Sequence, residues 1–160
     1  MKNMKKDYSK IGGWLWLIAL LLITSPVSAI WQIITHDVKL LHDGTMALLT
    51  NPETYAYHVL WQPLLLSEFI FRIMTILLSP LMMYLFLMKK KRFILVYASW
   101  MILCILAVIL FVLGRVWIYH SYDVPMDSVY YFIWIGVIEH LILLVCFYRS
   151  SRVKNTFVRT

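Results

Sequence analysis

Four long apolar runs, each close to the length of a bilayer-crossing helix, limit what this chain can become. The first extends from Ile11 to Ile34 without a charged residue. As a helix it would reach about 36 Å, enough to cross a hydrocarbon core of about 30 Å. The second extends from Leu64 to Met88, follows Pro63, and is broken only by Glu68 and Arg72. The third covers Phe93 to Leu113, followed by Gly114 and Arg115, and the fourth covers Val129 to Tyr148 and carries Glu139 and His140. The chain is 62% hydrophobic and 14% charged, whereas a soluble domain is usually about half apolar and a quarter charged. A soluble core of this size cannot hide such runs, but lipid can. Lipid also offers no water to peptide groups, so each run is predicted to be a helix. The expected fold is all-α: a polytopic membrane protein with four transmembrane helices over about 11–34, 64–88, 93–113 and 129–148. These make one transmembrane domain, 11–148, between a short tail at 1–10 and a basic tail at 149–160.

Orientation follows from lysine and arginine, which concentrate on the cytoplasmic side of membrane proteins. Twelve of the fifteen basic residues fall in the N-terminal tail, the link Lys89-Lys90-Lys91-Arg92 and the C-terminal tail. The other two loops hold only Lys39, beside Asp37, Asp43, Glu53, Asp123 and Asp127. Both termini are therefore predicted to be cytoplasmic. The formal charge of +7 does not point to nucleic acid, because every basic run abuts an apolar one, where anchoring charges belong. The expected partner of those charges is anionic lipid. One competing pattern is a lysine-rich start followed by an apolar stretch and Val27-Ser28-Ala29, which imitates a signal-peptide cleavage site. The apolar run continues through Ile30, Trp31, Ile33 and Ile34, which favours an uncut first helix.

The loop from Thr35 to Gln62 is long, with turn signals at Asp43-Gly44 and Asn51-Pro52. Met46, Leu48 and Leu49 between them predict a short segment resting on the membrane surface. Histidine and aspartate recur in the loops, but at no spacing that matches a metal site. Cys104 and Cys146 both lie inside apolar runs and form no disulfide framework. No P-loop, nucleotide fingerprint or nucleophile–base pattern is present. The chain is read as non-enzymatic, with no metal or cofactor assigned.

Several phrases carry a resemblance. Ile11-Gly12-Gly13-Trp14-Leu15 opens the first helix, Tyr57-His58, Trp61 and Pro63 lead into the second, and Ser151-Arg152-Val153-Lys154-Asn155-Thr156-Phe157-Val158 ends the chain. The chain resembles the domain-of-unknown-function 2569 family, small four-helix proteins of the bacterial inner membrane. The resemblance implies that fold, that compartment and an intact first helix, and it implies no activity. The sequence departs from the family pattern at Ile94, at Arg72, and in lacking a proline from Leu143 to Phe147.

The residues most able to carry function are the charges inside the apolar runs. Glu68, Arg72, Thr75 and Ser79 lie on one stripe of the second helix. Charged groups in lipid are costly, so the stripe is predicted to face the other helices. Counted from the outer helix ends, Arg72 and Glu139 lie at similar depths, about 13.5 and 15 Å. Arg72 is therefore predicted to pair with Glu139, with Glu68 as a second partner and His140 adjoining. In the C-terminal tail, Arg149, Arg152, Lys154 and Phe157 are expected to contact lipid or a protein partner. The function expected is that of an accessory or scaffold subunit binding another membrane component or a second copy of itself. The alternative is a small oligomeric transporter or channel that uses Glu68, Arg72, Glu139 and His140.

Overall fold

The computed structural model describes residues 13–122 and 127–157, except that the side chains of 127–136, Glu139, Arg152 and Lys154 are not described. Among the described residues the fold is all-helical, with no strand. The elements are α1 (Leu15–Gln32), a π-helical turn (Ile33–Asp37), α2 (Val38–His42), α3 (Thr45–Thr50), α4 (Trp61–Leu87), α5 (Arg92–Ser121), α6 (Asp127–Arg149) and α7 (Ser151–Thr156). Three of these stretches, Leu15–His42, Trp61–Leu87 and Arg92–Ser121, are long and apolar enough to cross a membrane, and His140–Arg149 is a shorter apolar helix. The first helical rod thus continues past Ile34 to His42, and the long loop begins only there. The third continues past Leu113 to Ser121. In both cases helix persists into polar sequence, because its own backbone bonding does not need an apolar environment.

The surface is consistent with lipid as the solvent. Leu77, Leu95 and Leu110 are 65–70% exposed while Glu68 and Ser79 are buried. A water-soluble protein does not show so much contiguous apolar surface. Helix α1 packs along α4, α4 along α5 and α5 along α6. The link between α4 and α5 is tight: Lys89 takes a left-handed φ of 53°. Its N–H donates to the Phe86 carbonyl at 3.1 Å and that of Lys90 to the Leu85 carbonyl at 3.0 Å. This is the bonding of a Schellman cap, where glycine is the usual residue.

At this basic end the bundle closes on rings. Phe86, Phe93, Phe147 and Phe157 are each about 1% exposed or less. The Phe93 and Phe157 ring centres are 4.7 Å apart, and Tyr97 stacks on Phe93 at 5.3 Å. Phe157 arrives there because the chain turns at Ser150, whose Oγ accepts from Val153 N at 3.3 Å and caps α7. The same Oγ accepts from Trp14 Nε1 at 3.1 Å. Residues 151–157 are thus a docked helix rather than a free tail, and Phe157, expected to contact lipid or a partner, is a core residue. Its burial beside Phe86 and Phe93 removes about as much apolar surface from solvent as an aromatic side chain can. Arg149 remains exposed, and the side chains of Arg152 and Lys154 lie outside the described set.

Away from that end, Thr75 and Ser79 donate to carbonyls one turn back on their own helix, Phe71 at 2.9 Å and Thr75 at 2.6 Å. They answer α4's own backbone near Pro80 rather than joining it to a neighbour. On the far side of the long loop's first turn, Gly44 has φ 76° and opens α3, the short segment expected around Met46 to Leu49.

Candidate functional site: a charged network beside a lateral cavity

The loop end of the bundle closes on charges instead of rings. Glu68 and Arg72 sit one turn apart on α4, which places them on the same face. Arg72 Nη2 lies 3.4 Å from Glu68 Oε2. Arg72 Nη1 donates to Asp37 Oδ1 at 2.6 Å and to Oδ2 at 2.8 Å, and its Nε donates to Gln32 Oε1 at 3.3 Å. The π-turn supplies this geometry. Its wider winding, which ends at Asp37, shifts the register of the rod there, and such turns often occur at functional positions. Asp37 also holds His36 Nδ1 at 3.1 Å.

Glu68 reaches a third helix through Arg115 of α5. Arg115 Nη2 is 2.7 Å from both carboxylate oxygens and donates to Oε2. Oε1 is buried and is held by the ion pair with Arg115 Nη2 without an aligned hydrogen bond of its own. Glu68 is only 5% exposed, Arg72 and Asp37 are 14% and 13% exposed, and Arg115 is 38% exposed. Close approach of α4 and α5 here depends on Gly114, where a Cβ would lie 3.0 Å from Leu64 Cδ1. An isolated charge at this depth costs several kcal/mol at about the low end of measured scales, and ion pairing offsets much of it.

Beside the network lies a cavity of about 600 Å³, walled by α1, α4 and α5 and reached by His140 of α6. Its charged lining is Glu68, Arg72 and Arg115. Gln32, Ser25, Ser28 and Thr75 add polar groups, and the rest is apolar, from Leu22 and Phe71 to Trp100 and Met101. The expected Arg72–Glu68 contact is present. The Glu139 side chain, named as Arg72's main partner, lies outside the described residues, while His140 lines the cavity as its neighbour. Reading by helix period found Glu68 and Arg72 but missed Asp37 and Arg115. The apolar run stops at Ile34, which places Asp37 in a loop on sequence grounds. Arg115 was treated as a flanking charge after Gly114.

A helical membrane protein with its polar groups turned inward onto a cavity among its helices is the class that fold and site define. The chain belongs to the family of proteins of unknown function DUF2569, whose family model matches residues 8–158, nearly the whole length. No curated protein and no solved structure matches it.

Proposed function

We propose that this is a four-span protein of the bacterial inner membrane with both termini in the cytoplasm, and that it works by binding another membrane component rather than by catalysis. The observation that carries the binding reading is the cavity, lined by apolar helix faces and by a charged network. Such a recess suits an accessory or scaffold protein that seats part of a membrane neighbour. The topology is supported by the basic link 89–92 and Arg149 meeting at one end of the bundle, with Asp37 near the other. Reporter fusions after Arg92 and Thr160 should read cytoplasmic, and fusions after Asn51 and Asp123 external. For binding, a photo-reactive residue at Val108, in the cavity wall, should cross-link a defined component in native membranes. The same probe at Leu95, 70% exposed, should give only diffuse products. Indistinguishable products from the two positions would end the binding reading.

A second reading, a small oligomeric transporter or channel, draws on Glu68, Arg72, Arg115 and His140 lining one cavity. Charged groups inside membrane helices often mark ion or proton pathways. Proteoliposomes containing only this protein would then pass protons or cations, and Glu68→Gln would abolish the flux.

A further inference from the structure

The ion-paired residues beside the cavity leave no charge for a ligand to answer. Asp37, Glu68, Arg72 and Arg115 are bound to one another, two of each sign. The hydroxyls nearer the basic end are placed differently. Tyr97 is 5% exposed, its ring stacked on Phe93 at 5.3 Å and tilted against Phe147 at 5.0 Å. It lines the cavity, yet its hydroxyl meets no hydrogen-bond partner among the described residues. A buried tyrosine hydroxyl ordinarily has one. On the α1 wall, Ser25 and Ser28 lie about one turn apart and line the same cavity. Ser28 accepts from Gln32 Nε2 at 3.2 Å and keeps its own O–H to give. Ser25 has no hydrogen bond among the described residues.

Depth and shape narrow the ligand. Helices α1 and α5 both leave the basic end, where Trp14 and Phe93 meet Phe147 at 6.4 and 6.1 Å. From that level Tyr97 lies about 6 Å along α5 and Ser25 about 16.5 Å along α1. Both stand inside a hydrocarbon core of about 30 Å. A phospholipid keeps its polar atoms near the interface and does not reach Ser25, whereas an uncharged lipophile dissolved in the bilayer does. The cavity wall also includes Phe71 and Trp100, stacked at 5.4 Å with their planes 7° apart. Aromatic faces of this kind suit a flat ring.

We propose that the cavity binds a lipid-soluble quinone. One ring carbonyl accepts from the Tyr97 hydroxyl, and the other lies toward Ser25 and Ser28. The ring packs on the aromatic wall, and the chain takes the apolar remainder among Leu22, Met101 and Leu143. Hydroxyls both donate and accept, so the reduced quinol fits the same groups. The inference rests on the binding reading and names what is bound.

The test uses the full-length protein, purified, stripped of lipid and equilibrated in detergent with equal amounts of decylubiquinone and decylbenzene. The two share a ring and its alkyl chain, but only the first carries oxygen. Rapid gel filtration and mass spectrometry of the organic extract count what the protein retains beyond protein-free micelles. Wild type should keep decylubiquinone in about fivefold preference, the effect of one hydrogen bond. Tyr97→Phe should erase the preference, and Val108→Trp, which fills the cavity from its wall, should lower retention of both compounds. Equal retention of the two by wild type overturns the proposal, and that comparison needs no variant to fold. Quinone retention that Val108→Trp leaves unchanged overturns it as well. The Val108 cross-link separates the two levels of argument. A defined protein product there without quinone retention keeps the binding reading and defeats the quinone, whereas neither product nor retention defeats both.

Discussion

At the basic end the helices meet through Phe86, Phe93, Tyr97, Phe147 and Phe157, rings packed at 4.7–6.1 Å with almost no exposure. At the loop end α4 and α5 meet each other and the π-turn through Asp37, Arg72, Glu68 and Arg115, and beside them lies a cavity. Ring packing is short-ranged and tolerates no gap, so it yields a closed, rigid joint. Ion pairs tolerate a vacancy between helices, because direction and charge, not contact area, hold them together. The comparison teaches a division within one bundle: one end fixes the helices, the other leaves a cavity.

The largest break in that comparison should come from the ring joint. Phe93→Ala removes a side chain with 0% exposure that touches four other rings. It should cost about 3–5 kcal/mol, read as a lowered unfolding midpoint in detergent, while Arg115–Glu68 pairing survives in any fraction that folds. A loss no larger than that of a surface leucine would mean the ring cluster is not the joint.

Next in size is the arginine network. Arg72→Met should cost about 2–3 kcal/mol by leaving Asp37 without its cation. Adding Asp37→Leu should restore part of that loss, a coupling of about 1–2 kcal/mol in a double-mutant cycle. The parallel cycle with Glu139 compares the partner expected from depth alone. If Glu139 couples to Arg72 and Asp37 does not, the bond to the π-turn is incidental.

A wedge between α4 and α5 sharpens the contrast further. Gly114→Val should drive Leu64 aside and cost about 1–3 kcal/mol, and it should disturb retention of any cavity ligand more than it disturbs the basic end. A smaller effect of opposite sign is expected at the link, where Lys89→Gly should raise stability by about 1 kcal/mol through relief of its left-handed φ. Unchanged stability would show that Lys89's side-chain contacts offset that strain.

The smallest effect lies in the loop. Asp43 accepts from Thr45 N at 3.0 Å, and its hydrogen bonds with Thr45 hold its carboxyl below the usual 3.8. A lowered folded value means the turn is favoured above about pH 4 and loses that support as pH falls through the folded value. Amide exchange at Thr45 should therefore quicken with acid beyond the intrinsic trend, and Asp43→Asn should remove that excess.

How much was legible in the residues differs between the two ends for the same reason. Glu68 and Arg72 were recognisable as partners because a helix sets their spacing, and local geometry is written in the sequence. Asp37 and Arg115 lie 35 and 47 residues from their partners, and nothing local announces such meetings. Phe157 shows the limit most clearly: the Arg-Val-Lys-x-Thr-Phe ending is recognisable as a motif, yet its basic residues point to contact with lipid or a partner rather than to the core. Only Ser150's cap and its bond from Trp14 turn that segment back under the bundle.

The sequence by itself determined that the chain is helical and built for lipid, because apolar run length and backbone hydrogen bonding are properties of single segments. It also concentrated the basic residues, since charge is additive along a chain. Only the tertiary structure decided which carboxylate holds which arginine, that Phe157 belongs to the core, and that a cavity remains beside Glu68. Those outcomes depend on helix rotation, on one π-turn before Asp37 and on the closeness allowed at Gly114. Rotating a helix by one residue, about 100°, leaves its apolar run unchanged and moves every side chain to a different neighbour.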